Sequence, residues 1–284
     1  MPAQPSSPDE LPAEPVAGLP ADLLEAREGT GATFPATLAA YARRPRALDQ
    51  AATWWSSPDP VTRLVGLELS AVLAGPASPL PLDERERARH QVAAHASEAS
   101  TGDDADLRWA AAKALGAAGP SAAALDVLTI LIGDDDPDVR WQAVACLPLA
   151  LGSDPGIVQG DPGRRAVETL VSATADSDDD VVEQAVFALA EQLEPDGVAA
   201  TPAVADALVR RLDSPGETGG LAALGLARRD DPRAEPAVRA ALEKTLADPE
   251  FELDEPWLSA ADLLPGLATL AADVRRAGAT LGDS

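Results

Sequence analysis

The chain has 284 residues, and its 47 acidic and 22 basic side chains give a formal net charge of −25. Apolar residues make up 46% of the sequence but aromatic residues only 3%, which excludes a core of large rings and favours closely packed helices rich in Ala, Leu and Val. Cys146 is the only cysteine, so an intrachain disulfide is excluded.

The N-terminal part of the chain has two sections of different composition. Residues 1–19 carry five prolines with serines and acids between them, and such a segment buries too little apolar surface to offset its ordering entropy. We therefore expect a disordered, proline-rich tail. Residues 20–56 show short helical patterns interrupted by Gly and Pro, which predict two or three capping helices with Trp54 and Trp55 in their core.

A helical pattern then recurs along the chain. In its clearest copy, Val139 is followed by Ala143, Cys146 and Leu147 at +4, +7 and +8, behind a run of aspartates. We call the first apolar residue of each copy its anchor. Successive anchors are 32 to 46 residues apart, a period that suits one helical hairpin per unit. The other anchors are Val61, Leu107, Val181, Thr218 and Trp257.

A second amphipathic run follows each first helix after a break. One hairpin leaves part of its apolar stripe uncovered, and stacking the next hairpin covers it, so only an array is stable. We therefore predict a repeat domain over residues 57–284. The predicted second helices cover 82–99, 121–132, 164–175, 198–212, 233–246 and 267–281.

This pattern resembles HEAT repeats, especially the short bacterial and archaeal type first noted in phycobilin lyases. The resemblance covers residues 57–284 and implies an all-α fold, an α-α superhelix of about six to seven helical hairpins. It also implies that first helices line the convex side and second helices the concave side. A further implication is a ladder in which Asp106, Arg108, Asp138 and Arg140 tie neighbouring units together.

The charged residues are unusual in kind as well as number. Asp outnumbers Glu, and Lys113 and Lys244 are the only lysines. Such an acidic surface resembles the proteins of halophiles, in which concentrated salt screens the self-repulsion. A merely acidic mesophilic protein is the alternative. In a halophile, the acidic total does not exclude a nucleic-acid partner.

No metal or cofactor site is predicted. A calcium loop starting at Asp134 would place Val139 where Gly is needed and Ala145 where the bidentate Glu belongs, so the aspartates are interpreted as helix caps and surface charge. His90 and His95 are the only histidines and lack the His-Glu pairs of iron-binding HEAT-like hydroxylases. We expect both to be surface residues.

Catalytic motifs are also missing. Cys146 occupies a repeat core position, which favours a buried small residue over a nucleophile. Gly29-Thr30-Gly31 lacks the third Gly and the preceding strand of a dinucleotide loop, and no Gly-x-Ser-x-Gly occurs. We predict that the chain is not an enzyme.

Two groups of residues are candidates for binding a partner. Trp109 and Trp141 each lie two residues after an anchor, about 200° around the helix and away from the core face, so they could form an aromatic ridge or pack over a neighbouring loop. The second group is a possible basic stripe on the second helices. Its members are Arg85, Arg89, Arg164, Arg165, Arg210 and Arg211, and its alternative is pairing with Glu84, Glu86, Glu168, Asp206 and Glu243.

The sequence therefore predicts a non-catalytic scaffold or adaptor that binds another protein along a solenoid surface. A lyase-like or DNA-glycosylase-like enzyme using the concave groove is one alternative, and nucleic-acid binding through the second-helix arginines is another. No stretch approaches the length of a membrane span, so we expect a cytoplasmic protein. The oligomeric state is left open.

Overall fold

The computed structural model describes residues 19–29, 33–248 and 253–282. Residues 1–18 of the predicted tail lie outside these ranges. Within the described ranges the secondary structure is entirely helical. The helices are α1 (Ala21–Glu28), α2 (Thr33–Ala42), α3 (Ala47–Trp55), α4 (Pro60–Ala74), α5 (Leu82–Ala99), α6 (Ala105–Ala118), α7 (Ala122–Leu131), α8 (Pro137–Leu151), α9 (Pro155–Val158), α10 (Asp161–Ala173), α11 (Asp179–Phe187), α12 (Pro202–Val209), α13 (Glu217–Ala227), α14 (Ala234–Ala247), α15 (Glu255–Asp262) and α16 (Ala268–Gly282).

The first three helices cover one end of the array. Trp54 and Trp55 are both buried, as predicted for a capping core. The Tyr41 hydroxyl donates a hydrogen bond to Asp22 at 2.8 Å, which ties α2 to α1. Because α3 packs directly on α4, the boundary between a capping unit of residues 20–56 and a repeat domain of residues 57–284 stays a prediction.

The remaining helices form a two-layer α-α solenoid. The first helices α4, α6, α8, α11, α13 and α15 pack side by side in chain order, and the second helices α5, α7, α10, α12, α14 and α16 pack against them. Helix α5 spans the residues predicted for it, and the other second helices begin and end within a few residues of their predicted bounds. Six stacked hairpins therefore confirm the predicted all-α superhelix.

Aspartates cap the first helix of each of the first four repeat units, α4, α6, α8 and α11. Each residue directly before the helix has an extended backbone, and its side chain accepts hydrogen bonds from amides of the first turn. At α8, for example, the Asp138 amide donates to Asp136 at 2.9 Å. The interpretation of the aspartate runs as helix caps is thus confirmed at Asp59, Asp104, Asp136 and Asp178.

The first helix of the fourth unit contains an irregularity that the periodicity did not predict. Helix α11 continues into a π-helical turn, Ala188–Gln192. Carbonyls near the end of a helix lack intrahelical donors. Here Arg228 and Arg229 of α13's C-terminal end donate to them: Arg229 Nη2 bonds the Leu189 carbonyl at 2.7 Å, and Arg228 Nη1 bonds the Ala190 carbonyl. The irregular turn is therefore held by the following unit.

Candidate functional site

Two bidentate ion pairs fix the stacking of the second, third and fourth units. Arg108 donates to Asp134 from Nε at 2.7 Å and from Nη2 at 2.9 Å. Arg140 donates to Asp176 in the same way, at 2.9 Å and 2.8 Å. All four side chains expose less than a fifth of their surface, so these pairs are stronger than solvent-exposed ones.

This ladder differs from the one that the resemblance implied. The arginines are those expected, but their partners are Asp134 and Asp176 and not Asp106 and Asp138. The reason is reach: each arginine extends to the loop that precedes the next unit's first helix, whereas Asp106 and Asp138 lie in the exposed first turns of α6 and α8.

The ladder keeps its carboxylates ionised. Burial by itself would raise the pKa of Asp134, but the hydrogen bonds from Arg108 and from the Asp136 amide bring it below its usual value. The pKa of Asp176 is lowered in the same way by Arg140, again against the effect of burial. Each rung is therefore a charged pair at neutral pH.

Trp109 and Trp141 directly follow the two ladder arginines, and both line one surface cleft of about 370 Å³. Trp109 is half-buried and packs against the core, whereas Trp141 is 38% exposed. The Arg108–Asp134 pair joins the N-terminal turn of α6 to the loop before α8, so it ties together the two units that carry the rings. We call this surface the tryptophan cleft; its remaining lining residues are Ala105, Asp106, Asp136, Asp138 and Val139.

The tryptophan cleft is strongly acidic. Asp106 and Asp138 are exposed, and Asp136 accepts hydrogen bonds from the first-turn amides of α8. Among the residues that the structure describes, no Arg, Lys or His side chain forms an ion pair with any of these three carboxylates. The cleft thus combines exposed aromatic surface with unneutralised negative charge.

Lys113 connects the tryptophan cleft to a second surface. Its Nζ lies 5.1 Å from the centroid of the Trp109 ring and 3.4 Å from Glu68 Oε1. Glu68 and Lys113 also line an apolar groove of about 380 Å³, to which α2 contributes Phe34 and Leu38. We call this surface the α2–α6 groove.

The α5 arginines proposed as partner-binding residues contact their own chain. Arg89 donates from Nη1 to Glu86 at 2.7 Å and from Nε to the Ala74 carbonyl at 3.3 Å. Arg85 donates to the Ser78 carbonyl at 3.3 Å. These bonds hold the loop between α4 and α5, and they leave both guanidinium groups bonded within the chain.

The other arginines of the proposed stripe are of two kinds. Arg165 pairs with Asp126 of α7 at 2.6 Å, and Arg164 pairs with Asp161. Of the acids expected as partners, Glu86 pairs with Arg89 of the stripe, whereas Glu84 and Asp206 pair with Arg87 and Arg233. Arg85, Arg210 and Arg211 form no ion pair with a described residue, and of these three only Arg85 has a side-chain hydrogen bond to one.

The two histidines occupy different environments, which corrects the expectation that both are surface residues. His90 is exposed. His95 is half-buried because its ring stacks on Trp55, with centroids 4.8 Å apart and planes 14° from parallel. Trp55 has two further contacts: Arg63 lies 4.6 Å from its ring centroid, and Glu98 accepts a hydrogen bond from its Nε1 at 3.2 Å.

Cys146 is buried, as predicted from its repeat position. Burial raises the pKa of its thiol, although Gln142 donates a hydrogen bond to Sγ at 3.0 Å.

The described residues hold no cluster of three or more His, Cys, Asp or Glu side chains with metal-binding geometry. In the same residues, no helix is both long enough and apolar enough to cross a membrane.

A comparison with known families explains the repeated units. Residues 92–190, which run from within α5 into the π-helical turn, match the family model for HEAT repeats. Over residues 92–190 the chain is thus similar to HEAT repeats. The resemblance inferred from the anchors is therefore confirmed, and these repeats include both ladder arginines and both tryptophans of the cleft. No curated protein matches the sequence.

Solved structures give the same architecture. The chain is similar to an engineered protein, with 23% identity, a TM-score of 0.56 and coverage of 81% of this chain and 97% of that one. A designed armadillo repeat protein in complex with the peptide (KR)4 gives 17% identity, a TM-score of 0.54 and coverage of 80% and 98%. A HEAT-like repeats protein of the archaeon Thermococcus onnurineus NA1 gives 14% identity, a TM-score of 0.51 and coverage of 90% of this chain and 99% of that one. At these identities the similarity shows the fold alone.

Two parts of the site were not found from the sequence. The ladder acids Asp134 and Asp176 share a signal, since each lies two residues before a capping aspartate, but the surrounding aspartates make this spacing hard to distinguish from the rest of the acidic run. The pair of Glu68 and Lys113 is 45 residues apart in sequence and has no local signal. Only the packing of α2 and α6 against α4 brings the α2–α6 groove together.

Proposed function

We propose that this chain is a non-catalytic scaffold that binds another protein through the tryptophan cleft and the adjoining α2–α6 groove. The observation that carries the proposal is the 38% exposure of Trp141 beside Trp109 in an open, acidic cleft. Tryptophan is enriched among the residues that dominate protein interfaces, because its large ring loses much apolar surface to a partner.

The architecture supports a binding role. Stacked helical repeats present extended surfaces on which each unit contributes a similar patch. A structurally similar designed armadillo repeat protein was solved with a peptide, which supports peptide binding on this type of fold. In the present chain, two successive units contribute one tryptophan each to a single cleft.

Affinity capture from the native lysate tests the proposal. We expect a protein that co-purifies with the wild type to be lost with the double variant Trp109→Ser, Trp141→Ser. The matched control is Ile130→Ser on α7, because Ile130 is an exposed apolar residue at 65% exposure that lies outside both surfaces. Capture of the same proteins by the wild type and the double variant would contradict the proposal.

Two arginines of the predicted stripe provide a second, weaker contact for the partner. Arg210 and Arg211 have neither an ion pair nor a side-chain hydrogen bond to a described residue, so these two arginines are available to an acidic partner segment. Arg85, Arg89, Arg164 and Arg165 already bond within the chain. This internal pairing supports a partner on the tryptophan side over a nucleic acid along the stripe.

We also propose that the chain works in a cytoplasm of high salt. The support for high salt is the net charge of −25 with only two lysines, which concentrated salt would screen. The support for the cytoplasm is the single, unpaired and buried Cys146, which requires no oxidising compartment.

A further inference from the structure

We infer that the tryptophan cleft takes an arginine-bearing, basic segment of the partner, with a guanidinium group lying on the Trp141 ring and facing Asp106 and Asp138. This inference rests on the proposed function, because it specifies the chemistry of the segment that the same cleft binds.

The chain's own aromatic residues show which group fits on such a ring. Arg44 lies 3.4 Å from the Tyr41 centroid, and Arg63 lies 4.6 Å from the Trp55 centroid. Beside the cleft, Lys113 lies 5.1 Å from the Trp109 centroid. Cations are attracted to the negative face of an aromatic ring. Trp141 is the most exposed of the five tryptophans, and no Lys or Arg of the described ranges lies over its ring.

The charge of the cleft also selects a cation. Asp106, Asp136 and Asp138 contribute three formal negative charges. The N-termini of α6 and α8 oppose them with about half a positive charge each, so the sum is roughly two negative charges. Only one of the three carboxylates, that of Asp136, is used to cap a helix. The exposed carboxylates of Asp106 and Asp138 therefore remain available to a donor.

Arginine fits this combination better than lysine. A planar guanidinium stacks flat on an indole ring and donates two parallel hydrogen bonds to a carboxylate, whereas an ammonium group acts as a compact, strongly hydrated point charge. The cleft volume of about 370 Å³ is large enough for such a side chain but small for a folded element. An extended segment that inserts arginine is the occupant with matching size and charge.

The fourth unit supplies an internal contrast. Asp179 and Asp180 lie in the exposed first turn of α11, as Asp106 and Asp138 lie in α6 and α8. Two residues after its anchor, this unit has Glu183 in place of tryptophan, and Glu183 accepts a hydrogen bond from Thr218 at 3.2 Å. The fourth unit thus has the same acids without the aromatic surface, and its aspartates serve as a matched control.

Fluorescence anisotropy with labelled peptides tests the inference on the full-length chain. The probes are blocked peptides of equal length in which glycine alternates with arginine, with lysine or with glutamine. We expect the arginine peptide to bind more tightly than the lysine peptide and the glutamine peptide not to bind. Trp141→Ala leaves the net charge unchanged, and we expect it to weaken binding of the arginine peptide about tenfold.

A pair of charge variants separates the cleft from general attraction to an acidic surface. One double variant is Asp106→Asn, Asp138→Asn, and the other is Asp179→Asn, Asp180→Asn. Each removes two negative charges, and we expect only the first to weaken binding beyond the effect of net charge. Circular dichroism and a urea midpoint confirm that each variant folds. Equal affinity of the wild type and Trp141→Ala, or equal effects of the two aspartate pairs, would overturn the inference.

The two proposals fail in different ways. If the arginine peptide does not bind while lysate capture still depends on both tryptophans, the inferred partner chemistry is wrong and the scaffold proposal stands. If the arginine peptide binds through Trp141 but capture is unchanged by the tryptophan variants, the scaffold proposal as stated fails although the cleft chemistry is correct.

Discussion

Gly116 of α6 packs directly against Cys146 of α8. A Cβ built on Gly116 would lie 2.6 Å from Cys146 Sγ and 2.7 Å from its Cβ, closer than these atoms can approach. The contact lies between the second and third units, the same two units that form the tryptophan cleft. Absence of a side chain at residue 116 therefore sets how closely α6 and α8 approach.

Gly116→Ala should destabilise the chain by about 1–3 kcal/mol, because the overpacked methyl group must displace Cys146 or separate the helices. Helix propensity acts in the opposite direction, since alanine favours a helix interior by about 1 kcal/mol over glycine. A urea unfolding curve measures the net change. Cys146→Ala in the same chain should recover part of the loss, and additive effects of the two substitutions would contradict the assigned contact.

The ladder predicts a large effect of removing one member of a pair. Arg140→Met leaves the Asp176 carboxylate largely buried without its cation, and we expect a loss of about 3 kcal/mol in the free energy of unfolding. The double variant Arg140→Met, Asp176→Leu should be less destabilised than the single one. Urea unfolding tests both, and a single variant as stable as the wild type would show that the pair contributes little.

The fold could be predicted from the sequence because its signal is local and repeated. Val139 and its copies carry the 3.6-residue period of a buried helix face, and capping aspartates mark the helix starts. The π-helical turn after α11 could not be predicted in this way, because it depends on Arg228 and Arg229 of the following unit.

The candidate site was predictable in part. The exposed position of Trp141 follows from helical periodicity, since it lies two residues after an anchor, but Trp109 at the same position is half-buried and packs against the core. His95 shows the limit of this argument. It lies on a helix rich in charge, but its environment is set by Trp55, which is 40 residues earlier and belongs to the capping helices.

His95 predicts a pH-dependent stability. Burial lowers the pKa of His95, and the nearby Glu98 carboxylate only partly opposes this effect. The folded chain therefore binds the proton more weakly than the unfolded chain, so the contribution to stability is present above about pH 6.5 and is lost as the pH falls through the folded pKa.

Urea midpoints measured on both sides of this pH range test the prediction. We expect His95→Gln to remove part of the fall in stability on acidification, and the matched variant His90→Gln, at an exposed site on the same helix, to retain it. Comparison of pH slopes avoids the constant loss from removing the ring contact with Trp55. Parallel slopes for the wild type and His95→Gln would contradict the role of His95.

High salt should stabilise the folded chain. With a net charge of −25, repulsion among carboxylates is weakened when the Debye length shortens from about 10 Å at 0.1 M to about 3 Å at 1 M salt. We expect the thermal unfolding midpoint to rise when KCl is increased over this range. Sucrose is an uncharged control, because it stabilises folded proteins by exclusion from their surface and does not screen charge. Equal midpoints at low and high KCl would contradict the high-salt proposal.

Arg229 predicts a local effect at the π-helical turn. Its Nη1 donates to the Gly225 carbonyl at 2.8 Å and its Nη2 to the Leu189 carbonyl at 2.7 Å, so one side chain ties α13 to the preceding unit. Burial lowers the pKa of Arg229, and neighbouring Arg228 adds to this effect. The hydrogen bonds to carbonyls therefore hold a partly buried cation in place.

Arg229→Met keeps much of the apolar stem but leaves two carbonyls without this donor, and we expect a loss of about 1–3 kcal/mol. In hydrogen-exchange measurements, we expect the substitution to accelerate exchange more in Ala188–Gln192 than in α6 or α8, because the turn loses its support from the next unit. Arg210→Met, at an exposed site without an ion pair to a described residue, is the matched control and should change neither quantity. Uniform acceleration of exchange along the whole chain would instead mean that Arg229 supports global stability and not this turn.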